Sequence, residues 1–344
     1  MVRFQMPQLV FVAAFLGGIL EGFAAHPTGV LAPKPLYRDP VYDGAADPSI
    51  IYDRAGGKWL MFYTNRRANV SGMDGVTWVH GTAIGVAESP DGARWRYRGT
   101  VVFPKEIPNT EEKPTFWAPA MVFDKGVYHM FVTVVPGVFA DWGHPRTIVH
   151  VTSPDLAAWH YEGTLPLATN KVIDPCVFQM NDGSWRLWYN NESAGKTTYY
   201  ADSPDLYHWT DKGSARLPRD RGEAPLVFRW RGRYWLLIDA FSNNGIGVYR
   251  SEDALNWVRQ PSNLLAGPGA GKDDQKGGHH PEVVVSGDRA YLFYFVHPGV
   301  AADSDQPDSR RSSMQVVELR ESGGWLGCDR NAPTRVDLRA AVPK

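Results

Sequence analysis

The sequence predicts an all-β protein, a five-bladed β-propeller with its site on the central axis. Two repeats and the composition lead there. A phrase with Ser, an acid and Trp at fixed offsets occurs four times: SPDGARWRYRGT (89–100), SPDLAAWHYEGT (153–164), SPDLYHWTDKGS (203–214) and SEDALNWVRQPS (251–262). A second grammar occurs five times, in DPSIIYDRAGGKWLMFYT, APAMVFDKGVYHMFVT, DPCVFQMNDGSWRLWYN, EAPLVFRWRGRYWLLID and HPEVVVSGDRAYLFYF. The 13 Trp, 15 Tyr and 15 Phe, with 34 Gly and 26 Pro, favour many short strands joined by tight turns.

Each unit of the second kind reads as a β-hairpin, with a Pro-led apolar strand, a short polar turn and an aromatic strand. A third strand follows, such as GTAIGVAES or RTIVHVTS, and ends at the Ser-acid turn. The Trp phrase then leads into a fourth. Units begin at residues 47, 118, 174, 223 and 280, and a period of roughly 50 residues or more belongs to propellers and solenoids. Radially arranged four-stranded sheets make the propeller the better reading. Ser and Asp in the repeated phrase bond nearby backbone to form a turn. The four tryptophans, Trp95, Trp159, Trp209 and Trp257, are expected to pack between blades. Long connections at 64–88 and 134–147 are expected to carry function.

Thirty-six basic residues nearly balance 37 acidic ones, so nothing points to nucleic acid or to an anionic membrane as partner. Residues 1–25 read as a signal peptide. Arg3 precedes an uncharged run from Leu9 to Leu20, and small residues offer cleavage near Ala24 or Ala25. The expected location is therefore secreted or periplasmic, with no membrane contact beyond the export signal and residues 26–344 forming one domain. Of the two cysteines, Cys176 lies in an apolar strand-like run and is expected to be a buried free thiol.

In a propeller the first strand of each blade lines the axis, so the opening residues converge. They are Asp47, Ala118, Asp174, Glu223 and His280, with Trp117 flanking the second. Three carboxylates and a histidine around one axis are costly to bury and do not follow from folding needs. Two carboxyls with opposite protonation states are what glycoside hydrolysis requires, and a third nearby raises the acid's pKa. Such an enzyme would act on an oligo- or polysaccharide and needs no cofactor.

The ordered set AADPSIIYD, FWAPAMVFDKGVYHMFV, VIDPCVFQMNDGSWRLWYN, GEAPLVFRWRGRYWLL and GHHPEVVV resembles the five-bladed propeller glycosidases of glycoside hydrolase family 43, over residues 35 to 320. The resemblance implies Asp47 as general base, Asp174 as modulator of the acid's pKa, Glu223 as general acid, and inversion at the anomeric carbon. It implies α-L-arabinofuranosides or β-xylosides as substrates. It also implies that His280 lies near the axis, in some members beside a calcium ion, which makes His280 the candidate metal contact. Two features depart from the family: Glu223-Ala224-Pro225 stands where Glu-Gly-Pro is usual, and His279-His280 is doubled. Trp117, Asn190, Asn191, His279, His280 and Arg311 are the candidate substrate contacts, and the Gly-rich loop 267–280 is expected to be a mobile rim over the axis. Another carbohydrate enzyme of the same clan (fructosidase, anhydrogalactosidase or phosphorylase) and a non-catalytic sugar-binding propeller are the alternatives.

Overall fold

The computed structural model describes Met1 and residues 28–110, 113–218, 221–241, 245–298 and 310–342. The expected signal peptide falls almost wholly on residues 2–27, outside them. Five four-stranded antiparallel sheets follow one another along the chain, each with its strands in sequential order. Their innermost strands are Ala45–Asp53, Thr115–Asp124, Val172–Gln179, Gly222–Trp230 and His279–Ser286. Each inner strand contacts the next, and the fifth contacts the first, so the ring is closed.

Apolar side chains gather in five clusters that lie between neighbouring blades, including one between the fifth and the first. Hydrophobic burial therefore acts between blades, and no single blade could bury both its faces alone. Closure is completed at the termini, where Val30–Leu31 pairs with Arg335–Val336 and Tyr37 bridges to Met314.

The repeated phrase is a turn in all four copies. The Asp91, Asp155, Asp205 and Asp253 carboxylates each accept backbone N–H groups two and three residues on, at 2.8–2.9 Å. The tryptophans pack as expected between blades. Trp159, for example, meets Phe62 edge-on with 6.2 Å between ring centres, and Trp209 meets Phe131 at 5.5 Å. Trp209→Ala is expected to destabilise the fold by about 3–5 kcal/mol, the range for truncating a buried large aromatic. Urea denaturation checks this against Leu255→Ala in the next copy of the phrase, where the side chain is exposed and the change should stay within about 0.5 kcal/mol.

Candidate active site

Every inner strand carries one β-bulge at the same place, and each bulge holds a non-glycine residue in the left-handed region. These are Asp47 (φ 51°), Ala118 (45°), Asp174 (57°), Ala224 (52°) and His280 (45°), each followed by Pro. Ala118 and Ala224 share the geometry without a functional side chain, so the backbone conformation belongs to the fold. Asp47, Asp174 and His280 place ionisable side chains on three of these five positions.

The structure corrects the expected equivalence of Glu223. Ala224, not Glu223, shares the bulge position, and Glu223 sits one residue earlier, in the row of Ala46, Trp117, Ile173 and His279. Glu223 nevertheless lines the same pocket as Asp47 and Asp174. The bulge breaks the strand's alternation, so neighbouring positions both reach the pit.

The pit has a volume of about 450 Å³ and takes walls from all five blades, within the range of ligand sites. Blade 1 gives Asp47, Thr64, Arg66 and Val79; blade 2 gives Trp117 and Trp142; blade 3 gives Ile173, Asp174, Glu192 and Lys196. Glu223, Asp239 and Phe241 come from blade 4, and His280 and Phe295 from blade 5. Both long connections contribute as expected, through Arg66, Val79 and Trp142. Trp117 is held by its indole N–H, which donates to the Val79 carbonyl at 2.7 Å. Trp142 and Phe241 are half exposed at the rim.

The carboxyls are displaced in opposite directions. Burial alone would raise the pKa of Asp47, but His280, whose Nδ1 is 3.1 Å from Asp47 Oδ1, outweighs it, helped by Arg66 and the Thr64 hydroxyl. Asp47 therefore lies well below the usual carboxylate range. Burial pulls His280 down, yet Asp47 and then Asp174 lift it to about 9. Asp174 moves the other way. Burial raises it to about 7, opposed by His280 and reinforced by Glu223 and Asp47. Its Oδ2 accepts the Ala224 N–H at 3.0 Å. Burial also raises Glu223, with Lys196 opposing and Asp239 and Glu192 reinforcing.

Around Glu223 the neighbours are ordered by charge. Lys196 Nζ donates to Glu223 Oε1. Asp239 stands directly across the strand pair from Glu223 and bonds His279 Nδ1 at 2.8 Å. Like charges opposite one another destabilise a sheet, and here each carboxyl has its own cationic or imidazole partner. His279 thus backs Asp239 and does not itself line the pit.

Other sequence candidates lie elsewhere. Arg311 is bonded to Asp273 at 2.5 Å and is not among the lining residues. Arg66 is the arginine that lines the pit, stacked over Phe295 at 4.8 Å. Asn191 caps the short 3-10 turn Glu192–Ala194 by accepting the Ala194 N–H, which sets Glu192 and Lys196 in place. Asn190 is fully buried beside Ile173, in the row of Thr64 and Thr133, and its amide has no protein partner. The loop 267–280 is not a loose rim. Its Asp273 and Asp274 are buried and tied to Arg311 and Arg330. Both cysteines are free, Cys176 being buried as expected.

His280 also borders a second axial chamber of about 290 Å³, ringed by the five bulge prolines and holding Ser49, Cys176 and Glu282. An axial calcium ion takes about six to eight oxygen ligands. Among the described residues no group of three or more His, Cys, Asp or Glu converges as a metal site. His280 brings one imidazole to the axis, with its Nδ1 3.1 Å from Asp47 Oδ1.

Lys196, Asp239 and Arg66 were not singled out by sequence. Asp239 was within reach, because it ends its strand in register with Thr64, Thr133 and Asn190. Lys196 lies in a turn whose sequence, ESAGK, carries no chemical signal.

The fold has close structural counterparts. A thermostable family-43 glycoside hydrolase superposes with a TM-score of 0.65 at 19% identity, covering 88% of this chain and 99% of that one. A GH43_1 enzyme from Xanthomonas citri complexed with xylotriose gives 0.64 at 16% identity, covering 90% and 97%. A family-43 β-1,3-galactosidase bound to galactodeoxynojirimycin gives 0.63 at 14%, covering 88% and 100%. No curated protein matches the sequence significantly. The model of glycosyl hydrolases family 43 matches residues 37–325, nearly the whole propeller, and the chain belongs to that family of glycoside hydrolases.

Proposed function

We propose that the protein hydrolyses terminal or branch glycosidic bonds of plant or microbial polysaccharide fragments with inversion of configuration. Asp47 is the general base, Glu223 the general acid and Asp174 the group that tunes the acid. The observation carrying this reading is the opposite displacement of the carboxyls within one pit, with Asp47 held low by His280 while burial raises Asp174 to about 7 and raises Glu223. Glu223 gives its proton to the glycosidic oxygen as the bond to the anomeric carbon breaks. Asp47 takes a proton from a water whose oxygen bonds that carbon from the opposite face.

A pit walled by all five blades suits a chain end or a branch rather than a chain passing through. Trp117 and rim Trp142 offer flat apolar faces for a sugar ring, and Arg66, with guanidinium nitrogens that have no hydrogen-bond partner in the protein, offers donors to its hydroxyls. The preferred substrates are α-L-arabinofuranosides or β-xylosides, met outside the cytoplasm by a secreted or periplasmic enzyme. The test is a panel of aryl glycosides and plant oligosaccharides followed by proton NMR from the first turnover. The expected first product is the sugar with the anomeric configuration opposite to that of the substrate. Retention would replace the base by a nucleophile, as in a fructosidase-like mechanism, and overturn the assignment of Asp47.

A further inference from the structure

Lys196 is the cation nearest the proposed acid, and a chain of contacts fixes it there. It follows Gly195 at the end of the 3-10 turn capped by Asn191, and its own backbone is left-handed, with φ 61°. The Lys196 carbonyl accepts the Gly222 N–H at 3.0 Å, tying the turn to the strand that carries Glu223. Its ammonium lies 3.4 Å from Glu192 Oε1, contacts Glu223 Oε1, and sits 4.9 Å from the centre of the Phe241 ring. Glu192 is in turn held by Arg146, whose guanidinium also reaches His144, and His144 Nε2 is 3.1 Å from His80 Nε2. The brace thus runs from the long connections of blades 1 and 2 to the carboxyl of blade 4.

We propose that Lys196 is a positioning residue for the general acid: by donating to Glu223 Oε1 it leaves the proton on Oε2, and its charge, balanced by Glu192, sets the pH at which Glu223 gives that proton up. This rests on the reading of Glu223 as acid. The other charged groups facing Glu223 come from each element around it: Glu192 from the turn, Asp174 from blade 3, Asp239 with His279 from blades 4 and 5, and His280 from blade 5. Glu223 and Asp174 titrate as an interacting pair, so the alkaline limb of activity belongs to both. Removing Lys196 takes away the group that favours the ionised acid. Neutralising Glu192 takes away one that opposes it.

The experiment measures kcat/KM against pH for the parent, Lys196→Met, Lys196→Arg and Glu192→Gln, using phenyl and 2,4-dinitrophenyl glycosides of the released sugar. Lys196→Met should move the alkaline limb up by about one pH unit, the low end for loss of an adjacent opposite charge. Glu192→Gln should move it down. Lys196→Arg should stay near the parent, and the loss in Lys196→Met should be larger with the phenyl leaving group. Thermal melts establish that each variant is folded, and the opposite sign of the two shifts is something a structural role alone does not produce. Limbs that stay put in both folded variants overturn the proposal. Glu223→Gln is the control: if it still cleaves the phenyl glycoside at the parent rate, the acid assignment itself fails, whereas an impaired control with unmoved limbs refutes only the role of Lys196.

Discussion

Asp47→Asn is expected to lower kcat by up to about 10⁴-fold, the upper range for a general base, and to do so equally for good and poor leaving groups. The amide keeps the shape of the side chain and cannot accept the proton of the attacking water. A second signature accompanies the loss. His280 is lifted to about 9 chiefly by Asp47 acting against burial, so without that charge the imidazole pKa falls. NMR titration of the imidazole reports this independently of turnover. Hydrolysis within tenfold of the parent would exclude Asp47 as base, whatever happens to the histidine.

Glu223→Gln should produce a loss that depends on the leaving group. With a phenyl glycoside, whose departing oxygen needs a proton, the expected fall is about 10²–10⁴-fold. With 2,4-dinitrophenolate, stable as an anion, it should shrink to a few-fold. The sign of the pH dependence follows from the raised pKa of Glu223. The acid works while protonated, so activity falls as pH rises through its pKa, and that limb should vanish in the variant. Steady-state rates across a series of aryl glycosides check both statements. A loss independent of the leaving group would assign Glu223 to binding instead.

Much of the frame was legible because prolines mark it. Pro48, Pro119, Pro175, Pro225 and Pro281 each follow a bulge, so the five units could be counted and Asp47, Asp174 and His280 brought to one axis from the sequence. Glu223 was assigned to the right pit but the wrong row. An acid opening the unit looked like the Asp of its neighbours, although Pro225 marks Ala224, not Glu223, as the bulge residue. Lys196 and Arg66 depend on where a turn and a strand end arrive in space, which periodicity does not encode. Arg311 looked available beside the last strand, but Asp273, 38 residues earlier, takes it. The loop 267–280 read as loose from its glycines, while its two aspartates are what fasten it.

The kink before each proline is kept even by Ala118 and Ala224, and this separates two inheritances. The ring passes on shape, with five interchangeable seats facing a common centre. The same left-handed backbone carries Asp, His and Ala at these seats.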